Sequence, residues 1–326
     1  TATARKQNKD IDKVEQSFVH VRTAAEKRSY RKRVLRRNII GTLMACPPFI
    51  GFLAFTLTPM IISLYLSFTE LHSYNLMLAK PIGIDNYVNI FKQELLWTSV
   101  VNTLYYCASV PLNLASQLFL ANIIAKHLKG SRIVRIILFI PQVCSGVAVT
   151  LMWQWIFEDN YGVINTMLNA INLPKLHFMS DKNWFMPAVL VISLWQQGTN
   201  VVLFEAAFVN VNTALQEAAR LDGAGEMQVF WKVTFPALTP TIFYVLTMNL
   251  ITALQEMTVM QVITTNGVGP DNRAVTLVYY IYRMAFNYSA SMGMGMACAL
   301  SWITALFILA VTKINFKLSE LWVSYD

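Results

Sequence analysis

The amino-acid sequence predicts an all-α polytopic membrane protein with six transmembrane helices. Hydrophobic residues make up 55% of the chain and charged residues only 13%, whereas about a quarter of the residues of a soluble domain are charged. The mean hydropathy is +0.45. Several uncharged apolar stretches also reach the roughly 20 residues that a helix needs to cross a bilayer. One membrane-embedded bundle therefore fits the sequence better than two soluble domains.

Six apolar stretches are predicted to form the spans, because each is long and carries few charges. Six spans place both termini on the same side of the membrane. The predicted spans are approximately Ile39–Phe68, Trp97–Ala125, Ile133–Phe157, Trp184–Val209, Pro236–Thr264 and Ala290–Thr312.

The basic residues indicate which side this is. Most of the 26 Lys and Arg residues fall in the N-terminal tail, above all at 31–37, and in the loops on the same side as the tail. Lys and Arg favour short cytoplasmic loops, so both termini are predicted to be cytoplasmic. This orientation explains the formal net charge of +8, and no nucleic-acid partner is required.

The chain is predicted to consist of a cytoplasmic basic tail, residues 1–38, and a transmembrane domain, residues 39–326. In the tail, Ile11, Val14, Phe18 and Val21 recur at helical spacing, which suggests an amphipathic helix on the membrane or on a partner. A solvated helix is equally compatible. No cleavable signal peptide is expected, because the first apolar stretch is too long for a signal-peptide core.

Several chemical functions lack their sequence signatures. The four cysteines show no CxxC pair or metal-ligand spacing, so no metal site is predicted. HExxH, GxSxG and the P-loop GxxxxGK[ST] are absent from the sequence, and the chain is therefore expected to be neither an enzyme nor an ATPase by itself. A secondary transporter or channel remains compatible with the composition alone.

The stretch from Asn210 to Ile242 differs from an ordinary loop between spans. Helix formers run from Leu215 to Leu221 and are followed by Asp222 and Gly223, which favour a helix end and a turn. A second short helical pattern then leads into the fifth span. The result is a protruding unit of helix, turn and helix to which a soluble protein could bind. An amphipathic linker without a partner is equally compatible with the residues alone.

This stretch resembles the EAA loop of bacterial ABC import permeases. The pattern of that loop is Glu-Ala-Ala, a Gly after three more residues, and Ile-x-Leu-Pro after a further nine residues; here Val233 and Phe235 vary it conservatively. In the family, the loop docks into a cleft on the ATPase subunit and converts closure of the ATPase pair into movement of the spans. The resemblance assigns ATPase coupling to Glu217, Ala218, Ala219, Asp222, Gly223 and Pro236, in an EAA loop at about 210–236.

The likeness extends over most of the chain and is closest to the carbohydrate branch of the family, through stretches such as NTLYY at 102–106 and YYIYRMAF at 279–286. It implies the type I ABC importer permease fold in a bacterial inner membrane, and import of a sugar or oligosaccharide. A non-sugar solute such as glycerol phosphate is the alternative. The implied partners are a second, different permease, two ATP-binding subunits that hold ATP and Mg, and an extracytoplasmic solute-binding protein. No cofactor is expected on this chain.

Polar residues within the fourth and fifth spans are candidates for the substrate path, because polar groups are costly in hydrocarbon. Asn249, Thr252 and Glu256 recur at i, i+3 and i+7, which places them on one face of a continuous helix. Glu256 is the strongest candidate, since an unpaired carboxylate at this depth needs water, a cation or a ligand. Hydrogen bonding between helices is the alternative role. Together with the resemblance to the maltose permease, this predicts substrate contacts at Trp195, Gln196, Thr199, Asn249, Thr252 and Glu256.

Overall fold

The computed structural model describes residues 24–72, 75–126, 130–264, 267–286 and 293–324, with side chains from residue 34 onward. The chain divides into two compact units, residues 1–62 and residues 63–326. The amphipathic helix predicted for the tail lies almost wholly outside the described residues, which begin at Ala24.

The first unit is built on one long helix. Helix α1, Ala24–Phe52, continues through a π-helical turn, Leu53–Leu57, into α2, Thr58–Ser67, whose last residues belong to the second unit. Residues 34–67 are long and apolar enough to cross a membrane. Their large side chains are mostly exposed, Phe55 at 85%, as expected for a helix that faces lipid or another subunit.

In its described residues the second unit is helical apart from one short antiparallel pair, β1 (Thr69–Glu70) and β2 (Lys80–Pro81), in which Thr69 pairs with Pro81. Two 3₁₀ turns, Leu76–Leu78 and Pro270–Asn272, lie in its loops. Its helices are α3 (Asp85–Ile90), α4 (Glu94–Tyr106), α5 (Ser109–Ala125), α6 (Ser131–Val143), α7 (Gly146–Ile156), α8 (Val163–Ala170), α9 (Lys182–Ser193), α10 (Gly198–Val209), α11 (Thr213–Leu221), α12 (Glu226–Val229), α13 (Phe235–Leu254), α14 (Thr258–Ile263), α15 (Leu277–Phe286) and α16 (Met294–Ser319).

The helices confirm a polytopic membrane protein with four continuous candidate spans, or six if each of two bent helix pairs counts as one. The predicted third span is the pair α6 and α7, bent by 103°, and the fourth is the pair α9 and α10, bent by 50°. Backbone groups freed at such breaks can be tolerated inside a membrane only where protein or water satisfies them. The breaks therefore mark positions where polar groups should gather.

The predicted fifth span also differs from the structure. Helix α13 begins directly after a π-helical turn, Phe230–Thr234, and ends at Leu254 instead of continuing to Thr264. A new helix, α14, starts at Thr258, because the Glu256 carboxylate accepts a hydrogen bond from the Val259 N–H at 2.9 Å. Glu256 is therefore not on the α13 face that its spacing had indicated.

Candidate functional site

The exposed segment 212–236, called the coupling segment below, begins with a capped helix. The Asn212 side chain accepts a hydrogen bond from the Ala214 N–H at 3.0 Å and starts α11. At the other end Gly223 has φ +85°, and the Ala224 N–H reaches back to the Ala219 carbonyl at 3.0 Å. This is a Schellman motif, which favours glycine at its left-handed position.

The second half of the coupling segment folds back onto the first. The Arg220 guanidinium donates two hydrogen bonds to the Glu226 carboxylate, at 2.7 and 3.2 Å. These contacts raise the pKa of Arg220 above its ordinary value. The Gln216 amide also donates to the Thr234 hydroxyl at 3.3 Å. Hydrogen bonds thus hold the turn on both sides, and its outer surface remains exposed.

A second feature is a polar cavity of about 170 Å³ at the break between α9 and α10. Its walls come from α4, α5, α9, α10, α13 and α14, together with the two breaks that precede α10 and α14. The lining residues are Tyr106, Ser109, Asn113, Gln117, Ile192, Ser193, Gln196, Gln197, Asn200, Asn249, Thr252, Ala253, Glu256 and Val259.

Amide side chains bridge the helices on one side of this cavity. Gln197, which is 4% exposed, accepts a hydrogen bond from the Ser116 hydroxyl at 2.7 Å and donates one to Asn113 at 3.2 Å. It lies in the break between α9 and α10, so the side chain joins the broken span to α5.

A matching bridge crosses the other side of the cavity. The Asn249 carbonyl oxygen accepts from the Asn200 amide at 3.0 Å, and the Asn249 amide donates to Gln117 at 3.4 Å. The residue therefore links α13 to both α10 and α5. Each of the five bridging amides makes at least one hydrogen bond, and all five line the cavity: Asn113, Gln117, Gln197, Asn200 and Asn249.

Comparison with known proteins decides the family. Residues 117–319 match the family described as binding-protein-dependent transport system inner membrane component, and this match includes the coupling segment and most of the cavity lining. The chain belongs to this family. It is an ABC importer permease, a multi-pass component of the inner membrane.

Relatives of this permease carry similar descriptions. It is 37% identical over 302 residues to the probable ABC transporter permease protein YesP of Bacillus subtilis strain 168, covering 91% of this chain and 96% of YesP. It is 28% identical over 298 residues to the lactose transport system permease protein LacF of Rhizobium radiobacter, covering 90% of this chain and 97% of LacF. It is also 30% identical over 247 residues to the sn-glycerol-3-phosphate transport system permease protein UgpA of Yersinia pestis, covering 75% of this chain and 82% of UgpA.

A solved structure supports the fold of the permease. Its counterpart is a chain of the bacterial alginate ABC transporter in complex with an alginate pentasaccharide-bound periplasmic protein. The TM-score is 0.76 at 25% identity, and the match covers 87% of this chain and 94% of that chain. The predicted type I permease fold is thus confirmed.

The structure places four of the predicted substrate residues of the permease together: Gln196, Asn249, Thr252 and Glu256 all line the cavity. Trp195 and Thr199 do not line it. The Trp195 ring packs edge-on against Trp153, with the ring centroids 5.7 Å apart, and Thr199 is exposed. Glu256 is not the unpaired carboxylate that its depth suggested, because the backbone of α14 is its partner.

The predicted coupling residues occupy the outer surface of the coupling segment. Glu217, Ala218 and Asp222 are exposed, Ala219 is half-buried behind them, and Pro236 lies at the start of α13. Among the described residues, Glu217 makes no hydrogen bond or ion pair of its own and has only a Coulombic interaction with Arg220. These residues form a surface that a partner can contact without any unfolding.

Sequence reasoning missed the contribution of the second span. Ser109, Asn113 and Gln117 all line the cavity from α5. Their spacing of i, i+4 and i+8 within an apolar helix was the available signal, since it places three polar side chains on one face. Sequence reasoning had sought the substrate path only in the fourth and fifth spans.

Proposed function

We propose that this permease forms half of the translocation path of an ATP-driven, binding-protein-dependent importer of a sugar or oligosaccharide. A second, different permease subunit supplies the other half, and the sugar site lies at the interface of the two. An extracytoplasmic solute-binding protein delivers the substrate. The permease domain is residues 39–326, and residues 1–38 form a basic cytoplasmic tail.

The observation that carries the proposal is the chemistry of the polar cavity. Among the described residues, its lining offers amides, hydroxyls and one carboxylate, and each of these groups can pair with the hydroxyl groups of a sugar. Trp195, beside the cavity, has an exposed indole that can cover the apolar face of a sugar ring. LacF is named as a lactose permease and the solved transporter as an alginate transporter, and both names support a carbohydrate as the substrate here.

The coupling segment supports dependence on ATPase subunits. Its exposed Glu217 can pair with a basic residue of a partner, and its small residues Ala218 and Ala219 allow close docking. In this proposal the segment and both termini are cytoplasmic, two ATP-binding subunits hold ATP and Mg, and this chain binds no cofactor and performs no catalysis.

Glycerol phosphate is the second candidate, because UgpA is a relative of similar length. A phosphate dianion in a buried site needs Arg or Lys partners. No basic side chain is among the described residues that line the cavity. This chain's share of the site therefore favours an uncharged sugar over a phosphate ester.

The test is uptake into proteoliposomes that contain the co-purified complex of both permeases and the ATPase, with the binding protein added. We expect uptake of labelled neutral oligosaccharide that requires internal ATP and stops when the ATPase is disabled. Labelled glycerol 3-phosphate is the competing substrate. Uptake of only the phosphate ester would exclude the sugar assignment, and ion-driven uptake by the isolated chain would exclude the importer assignment altogether.

A further inference from the structure

Helix α6 contacts α10 at two places and the break before α10 at a third, and these contacts run from the coupling segment to the cavity. At the first, the Arg135 guanidinium donates a hydrogen bond to the Glu205 carboxylate. At the second, Gly198 lies so close to α6 that a Cβ on it would come within 2.9 Å of the Phe139 Cα. At the third, the Gln196 amide donates to the Pro141 carbonyl at 3.3 Å.

One end of this contact adjoins the coupling segment. Glu205 lies about one helical turn before Val209, the last residue of α10. The chain then passes through Val211, which is 6% exposed, to the Asn212 cap of α11. Val211 packs in the same core cluster as Val201 and Phe204 of α10, and Leu138 of α6 packs against that cluster. A displacement of α11 would therefore be transmitted through this cluster to both helices.

The other end adjoins the polar cavity. Pro141 lies two residues before the end of α6, and the 103° break to α7 follows. Gln196 both lines the cavity and donates to the Pro141 carbonyl. The two breaks in the third and fourth spans are thus joined directly beside the space assigned to the substrate.

The ion pair between the two helices is costly to separate. The Glu205 side chain is 8% exposed and the Arg135 side chain 44%. Pulling the helices apart would leave a buried carboxylate without a partner, which is strongly unfavourable. Gly198 adds close backbone packing, which small residues permit in membrane helices.

We propose that Arg135 and Glu205 are positioning residues that lock α6 to α10, so that both helices move as one body when the coupling segment is displaced. The movement then reaches the breaks beside the cavity and changes access to it. This inference rests on the proposed import function, because it concerns the step between ATP-driven motion and substrate release.

The first experiment measures the distance between α6 and α10 in the assembled transporter. The four native cysteines are replaced, and spin labels are placed at Ile136 and Val202, which are both exposed. We expect the same narrow distance distribution in the nucleotide-free and ATP-bound complexes, while ATP hydrolysis shows that the labelled complex still cycles. A change of mean distance between the two states would overturn the proposal.

The second experiment removes the ion pair without leaving a buried charge. In the double variant Arg135→Met/Glu205→Met we expect assembly and ATP hydrolysis to persist, the label distance to broaden, and uptake at saturating substrate to fall about tenfold, which is within the usual range of coupling between sites. Arg132→Met, an exposed residue one turn earlier on α6, is the control and should transport normally.

Glu205→Gln, which keeps the volume of the side chain, serves as a milder version and should lower uptake in the same direction. Normal uptake with an unbroadened distance in the double variant would overturn the proposal. Uptake by the parent complex is measured first, so a failure of the import function is seen separately from a failure of the lock.

Discussion

The coupling segment and the polar cavity find their hydrogen-bond partners in different ways. The described side chains of the coupling segment hydrogen-bond to other residues of the same segment, as Arg220 does to Glu226. In the cavity the amide side chains bond to residues of other helices: Gln197 and Asn113 are separated by 84 positions, and Asn249 and Asn200 by 49. The first region is a self-contained surface, whereas the second exists only while the bundle is packed. Substitutions in the coupling segment should therefore lower uptake while the bundle stays folded, whereas substitutions that disturb the cavity packing should also lower stability.

The largest effect is expected when the packing beneath the cavity is broken. In Gly198→Val the Cβ would lie 2.5 Å from the Leu138 carbonyl oxygen and 2.9 Å from the Phe139 Cα. Backbone on both sides must move, and overpacking of this kind typically costs about 1–3 kcal/mol or more. We expect loss of assembled complex, measured as the yield and thermal unfolding temperature of the purified transporter.

The matched control is Gly146→Val at the start of α7, where a Cβ would meet nothing within 4 Å. This variant should assemble like the parent. Equal stability of the two variants would show that the α6 and α10 contact does not hold the cavity together.

The next effect tests the turn of the coupling segment. Gly223 has φ +85°, and a left-handed backbone costs residues other than glycine about 1–2 kcal/mol, more when they are β-branched. Gly223→Val should leave the bundle folded but greatly lower uptake, because the outer surface of the segment is reshaped. Gly225→Val is the control, since its φ is −70° and its Cβ would have free space. Similar uptake by both variants would contradict a role for the turn.

Reversing a charge on the same surface should uncouple ATP hydrolysis from uptake without unfolding the permease. Glu217→Lys places a cation opposite the basic residue of the proposed ATPase partner. Two like charges that face each other across an interface cost several kcal/mol. We expect weak association with the ATPase and little uptake, at an unchanged unfolding temperature. Glu320→Lys, the same change on an exposed residue at the end of α16, should transport normally. Full uptake by the Glu217 variant would refute its coupling role.

The difference between local contacts in the coupling segment and long-range contacts in the cavity also explains which features the sequence could predict. The end of α11 was predictable, because the helix end at Asp222 and the turn at Gly223 depend on neighbours within a few positions, whereas the start at the Asn212 cap was not predicted. The positions of the six apolar stretches followed from length and hydropathy alone, although the third and fourth are bent helix pairs. All of these are local properties of the chain.

The cavity could be predicted only in part, because it depends on where helices break and which helices meet. Periodicity assumed one straight helix from Asn249 to Glu256, but the chain leaves α13 after Leu254. Glu256 still reaches the cavity, from the break instead of the helix face. Trp195, in contrast, is turned by the break between α9 and α10 toward Trp153. The partners of Asn249 on α5 and α10 could not be read from spacing within a single helix.

A smaller effect is expected from single amides in the cavity. Asn249→Leu removes the hydrogen bonds to Asn200 and Gln117, and an unsatisfied buried polar group costs about 1–3 kcal/mol. The variant should unfold at a lower temperature and show altered uptake kinetics. Thr252→Val is the control for stability, because its exposed hydroxyl bonds to the Met248 carbonyl of its own helix and bridges no helices among the described residues. Equal unfolding temperatures would show that the bridge contributes little to stability.

The smallest effect concerns Glu256, the carboxylate among the described residues that line the cavity. Glu256→Gln keeps an oxygen that can accept from the Val259 N–H, so the start of α14 should survive. A hydrogen bond to a charged group contributes about 1.5–3 kcal/mol and a neutral one about 1 kcal/mol. The loss of roughly 1 kcal/mol toward a sugar hydroxyl should raise the apparent KM for uptake about fivefold, while basal ATP hydrolysis is unchanged.

Glu94→Gln, the same change on an exposed residue at the start of α4, should leave the KM unaltered. An unchanged KM in the Glu256 variant would mean that its carboxylate only caps α14, and the substrate contacts of this chain would then rest on the amides alone.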